Sequence, residues 1–254
     1  MTLNPRRWLR AAFDALEGIC SRVFTAPWNP LLQLGSLGWF FYWVVAVSGI
    51  YLYVFFDTGI TRAYDSVEAI TQGQAWLGGV LRSLHRYASD GLVAMVLIHM
   101  LHEFALDRIS GKRWFAWITG LPLLGLVYVS GITGYWLVWD AAAQYVAVTS
   151  GELLDVLPLF GEPISRNFVN EVSLSSRFFT LMSFMHIAAP LLLLLFMWIH
   201  IHRHAAARVQ PARGLGILVV VSLLALALVV PAVSQVRANL DLVPAVIGLD
   251  WFYL

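Results

Sequence analysis

The stretch Arg82-Ser-Leu-His85-Arg-Tyr-Ala-Ser-Asp-Gly-Leu-Val-Ala-Met-Val-Leu-Ile-His99 sets two histidines fourteen residues apart, and the same spacing recurs between His186 and His200. At about 100° and 1.5 Å per residue, fourteen positions make nearly four helical turns and rise about 21 Å. Each pair therefore shares one helix face, with one member near each side of a hydrocarbon layer about 30 Å thick. An imidazole inside such a layer is costly and marks function. Two such columns can hold two cofactors, one at each level. The other histidines fall off the columns. His102 is seventeen residues from His85, about 100° off its face, and His202 is sixteen from His186, about 160° off.

The chain around these columns reads as a membrane protein. Its 254 residues are 59% hydrophobic and 12% charged, about half the charge of a soluble domain, with a mean hydropathy of +0.74. No Asp, Glu, Lys or Arg lies between Arg22 and Asp57, Arg113 and Asp140, Arg177 and Arg203, or Arg213 and Arg237. A span needs about 20 apolar residues. Five transmembrane helices are predicted, near residues 31–56, 80–104, 114–139, 178–201 and 215–230. The expected fold is all-α: a transmembrane four-helix bundle of the first four spans, plus a fifth transmembrane helix.

Basic residues set the orientation. Arg6, Arg7, Arg10 and Arg22 precede the first span, Arg108, Lys112 and Arg113 follow the second, and Arg203, Arg208 and Arg213 follow the fourth. The opposite loops offer only Arg62, Arg166 and Arg237. The positive-inside bias places the N-terminus in the cytoplasm and the C-terminus in the periplasm of a bacterial inner membrane. No basic run suggests a nucleic-acid partner. The single Cys20 excludes a disulfide framework, and without a CxxCH motif there is no ordinary c-type haem attachment.

Three segments are expected: residues 1–30 on the cytoplasmic side, a bundle over 31–204, and the fifth helix with an outer tail over 205–254. The first does not read as a cleaved signal peptide, because Asp14 and Glu17 follow its arginines in place of an apolar core. Trp8, Leu9, Ala12, Phe13, Leu16 and Ile19 recur at helical spacing, as in an interfacial amphipathic helix. Outer loops are expected over 57–79 and 140–177, the second carrying Glu152, Asp155, Glu162 and Glu171.

One span separates the second from the fourth, so both run the same way. His85 and His186 then lie at the outer level, His99 and His200 at the inner. Two opposed neutral imidazoles suit a six-coordinate iron in a flat macrocycle. Gly35 and Gly49 are also fourteen apart, as are Gly120 and Gly134. The first and third spans run oppositely, so Gly35 and Gly120 fall at the inner level and Gly49 and Gly134 at the outer. Glycine lets another surface approach the backbone, leaving room for a ring edge. Arg82 lies about one turn outside His85, and Arg86 can pair with Asp90. Both arginines suit haem propionates.

These stretches resemble the N-terminal, dihaem domain of the cytochrome b family of respiratory and plastid-type quinol-oxidising complexes, over about residues 25–205. The resemblance rests on Gly35-Ser-Leu with Gly49, Arg82-Ser-Leu-His85-Arg-Tyr with His99, Gly120, Gly134-Tyr-Trp-Leu-Val-Trp139-Asp140, Leu157-Pro-Leu-Phe-Gly161, and His186-Ile-Ala-Ala-Pro190 with His200. It implies two non-covalent b-type haems, with His85 and His186 on the outer iron and His99 and His200 on the inner. It also implies quinone or quinol chemistry at one or both ends. The chain would then be a non-autonomous electron-transfer subunit of a larger oxidoreductase complex, with iron–sulfur or c-type cytochrome subunits as partners.

The departures bear on function. Family members usually have Pro-Trp where this chain has Val138-Trp139. An arginine usually five residues before the first histidine of the fourth span is here Arg177, nine before His186. That displacement is one turn, which keeps Arg177 within reach of a propionate. Gln33 stands where plastid-type relatives anchor an extra haem through cysteine, so no third haem is expected. In place of a Pro-Glu-Trp-Tyr motif and three further helices, the sequence runs Leu249-Asp250-Trp251-Phe-Tyr253, and no C-terminal three-helix domain is expected. Asp250-Trp251 reads equally as a remnant of that motif or as an aromatic tail at the membrane surface.

At the inner end His202, Arg203 and His204 cluster where the resemblance places a quinone-reduction site, and histidine can hydrogen-bond a quinone carbonyl and donate a proton. They read equally well as a polar helix end among lipid headgroups. Asp140, Tyr145, Glu152 and Asp250 are the outer candidates for proton handling. Two function classes stay open: an electron carrier coupled to quinone, and a haem-bearing membrane anchor without its own quinone site. A ligand column that crosses the bilayer favours the carrier.

Overall fold

A computed structural model describes residues 5–156, 175–202, 207–242 and 246–247. Arg203, His204 and Asp250 lie outside the described residues, as do Leu157-Pro-Leu-Phe-Gly161, Glu162, Glu171 and Trp251. Eight α-helices and no strand occur among the described residues. They are α1 (Pro5–Phe24), α2 (Leu34–Phe55), α3 (Ala63–Glu68), α4 (Val80–Ala105), α5 (Trp114–Val138), α6 (Ala141–Val156), α7 (Ser176–His202) and α8 (Arg213–Val229).

The segments Pro30–Phe55, Ala75–Ala105, Gly111–Val138 and Ser176–His202 are each long and apolar enough to cross a membrane. Their outward residues are apolar as well, among them Val47, Ile50, Ile118, Leu191 and Leu195. Such helices bury little on one another and are at home in lipid. The first four spans are thus seen within a few residues of their expected bounds. The fifth, α8, has 17 residues, about 26 Å at 1.5 Å per residue; it is apolar but shorter than the other four.

The chain divides into two compact units. Met1–Ser48, Ser83–Val127 and Leu191–Val230 form the first; Gly49–Arg82, Tyr128–Pro190 and Pro231–Leu254 form the second. In the first unit, α1 is the amphipathic helix expected from the sequence. Phe13 is buried, while Trp8 is 68% exposed and Ile19 and Val23 also face outward. Phe13 meets the His102 ring edge-on at 5.0 Å, and Glu17 hydrogen-bonds His102 Nε2 at 2.8 Å. Asn29 donates to the Glu17 carbonyl and to Ser21 Oγ, and its own Oδ1 accepts from the Leu31 amide. That cap and Pro30 start a 3₁₀ turn, Pro30–Gln33, which delays α2 by three residues beyond the expected start.

Two expected loops are helical in the second unit. Residues 57–79 include α3 and then two wide π-helical turns, Ala69–Gly73 and Ala75–Gly79. Glycine permits their close winding: a Cβ on Gly78 would lie 2.6 Å from the Ile70 carbonyl oxygen. The glycines that look like loop punctuation are packing positions here. Likewise α6 occupies the first half of the expected 140–177 loop. Asp140 is its N-cap, with Oδ1 accepting the Ala143 amide at 2.9 Å, and three alanines follow it.

The core of the second unit gathers Trp136, Trp139, Val146, Phe178, Phe179 and Met182. The Trp139 ring meets Phe179 edge-on at 5.0 Å. Its backbone is left-handed, at φ 50°, a strained state for a bulky residue. The segment after α8 brackets it. Ala238 donates to the Trp139 carbonyl, Ala141 donates to the Val236 carbonyl, and Gln235 donates to Asp140 Oδ2 at 2.8 Å.

Candidate functional site

His85 and His99 lie on α4, and His186 and His200 on α7. In the first unit the His85 ring reaches α2, its Nδ1 3.0 Å from the Val45 carbonyl oxygen and 3.2 Å from Ser48 Oγ. His200 reaches α5, its Nδ1 3.0 Å from Thr119 Oγ1. His99 and His200 both belong to this unit. In the second unit His186 Nδ1 is 2.8 Å from the Ser130 carbonyl oxygen on α5.

A carbonyl oxygen can only accept, so Nδ1 of His85 and of His186 carries the proton. Each ring then presents an unprotonated Nε2, the nitrogen lone pair an iron needs. The Thr119 hydroxyl leads to the same tautomer at His200. It is bonded to the Phe115 and Ala116 carbonyls at 2.9 and 3.1 Å, and so faces His200 as an acceptor.

The glycines lie against these rings. A Cβ on Gly134 would stand 2.5 Å from His186 Cε1, which no unshifted structure tolerates. The corresponding distances are 3.5 Å from Gly35 to His99 and 3.7 Å from Gly120 to His200. Gly134 thus lies against His186, Gly35 against His99 and Gly120 against His200. The imidazole, which the spacing alone did not name, is what rests on each glycine. Gly49 directly follows Ser48, the hydroxyl partner of His85.

The arginines differ in their settings. Arg82 is 11% exposed in its side chain and lies in the second unit, donating to Thr71 Oγ1 at 2.5 Å and to Ser234 Oγ at 2.8 Å, with Glu68 Oε1 at 3.5 Å. Arg86 pairs with Asp90 within α4, as the i,i+4 spacing predicts. Arg177 is exposed in the first turn of α7.

Of the outer candidates, Asp140 is 6% exposed and both its oxygens are bonded to backbone amides. Tyr145 is 38% exposed and Glu152 is exposed. Near them Tyr64 donates to the Gln235 carbonyl at 3.0 Å. Burial raises its pKa above the ordinary phenol range, and the Glu68 and Asp140 carboxylates add to that, so it stays a donor at neutral pH.

Around His202, Trp39, Leu191, Leu195, Trp198 and Val209 line an open apolar cleft of about 620 Å³ in the first unit. His202 donates from Nδ1 to the Trp198 carbonyl at 2.9 Å and stacks obliquely on the Trp198 ring at 4.7 Å. Its Nε2 remains for a ligand.

Among the described residues no group of three or more His, Cys, Asp or Glu is placed to hold a bare metal ion. Two histidines per iron fit a macrocycle that supplies its own four nitrogens. The fixed tautomers and the cradle at Gly134 fit such a group. Sequence reasoning missed the hydroxyl acceptors, although Ser48-Gly49, Thr119-Gly120 and Thr133-Gly134 repeat a hydroxyl directly before a glycine. Among families of known proteins, the one described as Cytochrome b/b6/petB matches residues 20–206.

Proposed function

This chain belongs to the cytochrome b family, and on that footing we propose that it carries electrons across the bilayer through two b-type haems, each held by two histidines. The family makes the chain a haem-binding membrane electron-transfer subunit, and its four long apolar helices make it an integral membrane protein. In this reading His85 and His186 ligate the outer iron, and His99 and His200 the inner. The observation that carries it is the acceptor on Nδ1 at His85, His186 and His200, which puts the ring's lone pair on Nε2.

Bound haem iron supplies one-electron chemistry. The chain's residues orient the ligands, hold them on glycine at Gly35, Gly120 and Gly134, and place Arg82, Arg86 and Arg177 as cationic partners for propionates. Removing one ligand at a time tests the assignment. His99→Ala or His200→Ala is expected to remove the inner haem and largely spare the outer, and His85→Ala or His186→Ala the reverse. Loss of the outer haem alone from His99→Ala overturns the level assignment.

Quinone exchange belongs at the inner end, in the apolar cleft beside His202. Trp39 and Trp198 offer flat apolar faces, and the imidazole offers a hydrogen-bonding and proton-exchanging group. Quinol is expected to reduce the haems in isolated membranes, and His202→Ala to slow that reduction without removing a haem. Asp140, with both oxygens on backbone amides, fits an anchor for α6 and the following tail better than a proton carrier. The N-terminus is assigned to the cytoplasm and the C-terminus to the periplasm of a bacterial inner membrane. The partners would be iron–sulfur or c-type cytochrome subunits of one complex.

A further inference from the structure

The hydroxyl–glycine doublets share one geometry. The hydroxyl folds back along its own helix onto the carbonyl four residues before the glycine. Ser48 is bonded to the Val45 oxygen at 3.1 Å, Thr119 to Ala116 at 3.1 Å, and Thr133 to Ser130 at 3.2 Å. Each hydroxyl also meets the carbonyl one position earlier, at Val44, Phe115 and Val129. With its proton committed along the helix, the hydroxyl turns a lone pair sideways. At Gly134 the glycine that follows removes a Cβ that would stand 2.5 Å from the His186 ring, and at Gly120 the His200 ring lies at contact distance, 3.7 Å. At two of the three doublets a histidine meets the hydroxyl: His85 Nδ1 on Ser48 Oγ and His200 Nδ1 on Thr119 Oγ1. At the third, His186 Nδ1 takes the Ser130 carbonyl, the oxygen that Thr133 also contacts. His85 has the Val45 carbonyl as a second acceptor.

We propose that Thr119, with Ser48 in a lesser role, is a positioning residue that fixes the tautomer of its histidine and tunes the potential of the haem that histidine ligates. The proposal rests on the assignment of His200 and His85 as haem ligands. An acceptor on Nδ1–H pushes electron density onto the ring, makes Nε2 a stronger donor and stabilises the oxidised iron. Removing the acceptor therefore raises the midpoint potential. At His85 the Val45 carbonyl still accepts when the Ser48 hydroxyl is removed, which limits the shift there.

The test is a redox titration of the purified chain, with the number of low-spin haems counted by pyridine haemochrome and electron paramagnetic resonance. Thr119→Val keeps the shape and deletes the hydroxyl, and Thr119→Ser restores it. The expected result is two low-spin haems in Thr119→Val, one midpoint raised and the other unchanged, with Thr119→Ser returning to the parent value. Ser48→Ala is expected to raise the other midpoint by less. Loss of one haem in Thr119→Val that Thr119→Ser recovers also supports the role. Two haems with unchanged midpoints in Thr119→Val overturn it, as does an equal loss in the valine and serine variants. Failure of the underlying assignment is separately visible: His200→Ala would then keep both haems.

Discussion

At the residue scale, the site depends on what is missing from a side chain as much as on what is present. A Cβ at Gly134 has only 2.5 Å to the His186 ring, whereas one at Gly120 has 3.7 Å to His200. Gly134→Ala is accordingly expected to lose or severely disturb one haem, and Gly120→Ala to bind both nearly normally. Haem content per chain, measured on the two variants side by side, checks this; equal losses would contradict it. Histidine and glycine were legible in the sequence because the membrane makes each conspicuous and the fourteen-residue period ties them together. The hydroxyls were not, since serine and threonine are ordinary in membrane helices, where they bond back to their own carbonyls. Only the ring that arrives from the next helix distinguishes Thr119.

At the scale of elements, the long helices follow from composition and the short ones do not. Hydropathy recovers the four spans because an apolar run of that length has few other uses. It misses α6, whose sequence mixes Gln144, Glu152 and Asp155 among alanines and valines and so resembles a polar connection. The signal that was available is local: an aspartate followed by three alanines, with the carboxylate on the third residue's amide. Asp140 also holds Gln235, so it serves two elements. Asp140→Ala removes a helix cap, worth about 0.5–2 kcal/mol, and deletes the carboxylate that accepts from the Gln235 amide. The expected outcome is a lower thermal midpoint and faster proteolytic cutting within residues 231–242, with Asp140→Asn milder at both. Unchanged proteolysis in Asp140→Ala would show that Gln144 and Arg237 hold the tail without it. Both contact this region, Gln144 through Asn239 and Leu242, and Arg237 through Asp65.

At the scale of the whole molecule, the membrane accounts for the four long apolar helices, and the proposed function assigns the four histidines to iron. Four long helices expose apolar faces that water would not tolerate, while serine and threonine hydroxyls on them bond back to carbonyls of their own helix. An imidazole with its Nδ1–H held by an acceptor has its lone pair on Nε2, as a metal ligand needs; His85 and His186 do this on backbone carbonyls and His200 on the Thr119 hydroxyl. The identity of the partners at either end was not legible, because a carrier's donor and acceptor are written in surfaces that meet other chains. The central claim is the pair of bis-histidine centres. Its most direct test is the haem content and spin state of the purified chain. The account predicts two b-type haems per chain, both low-spin, falling to one on mutation of any single ligand; one haem per chain, or a high-spin spectrum, would contradict it.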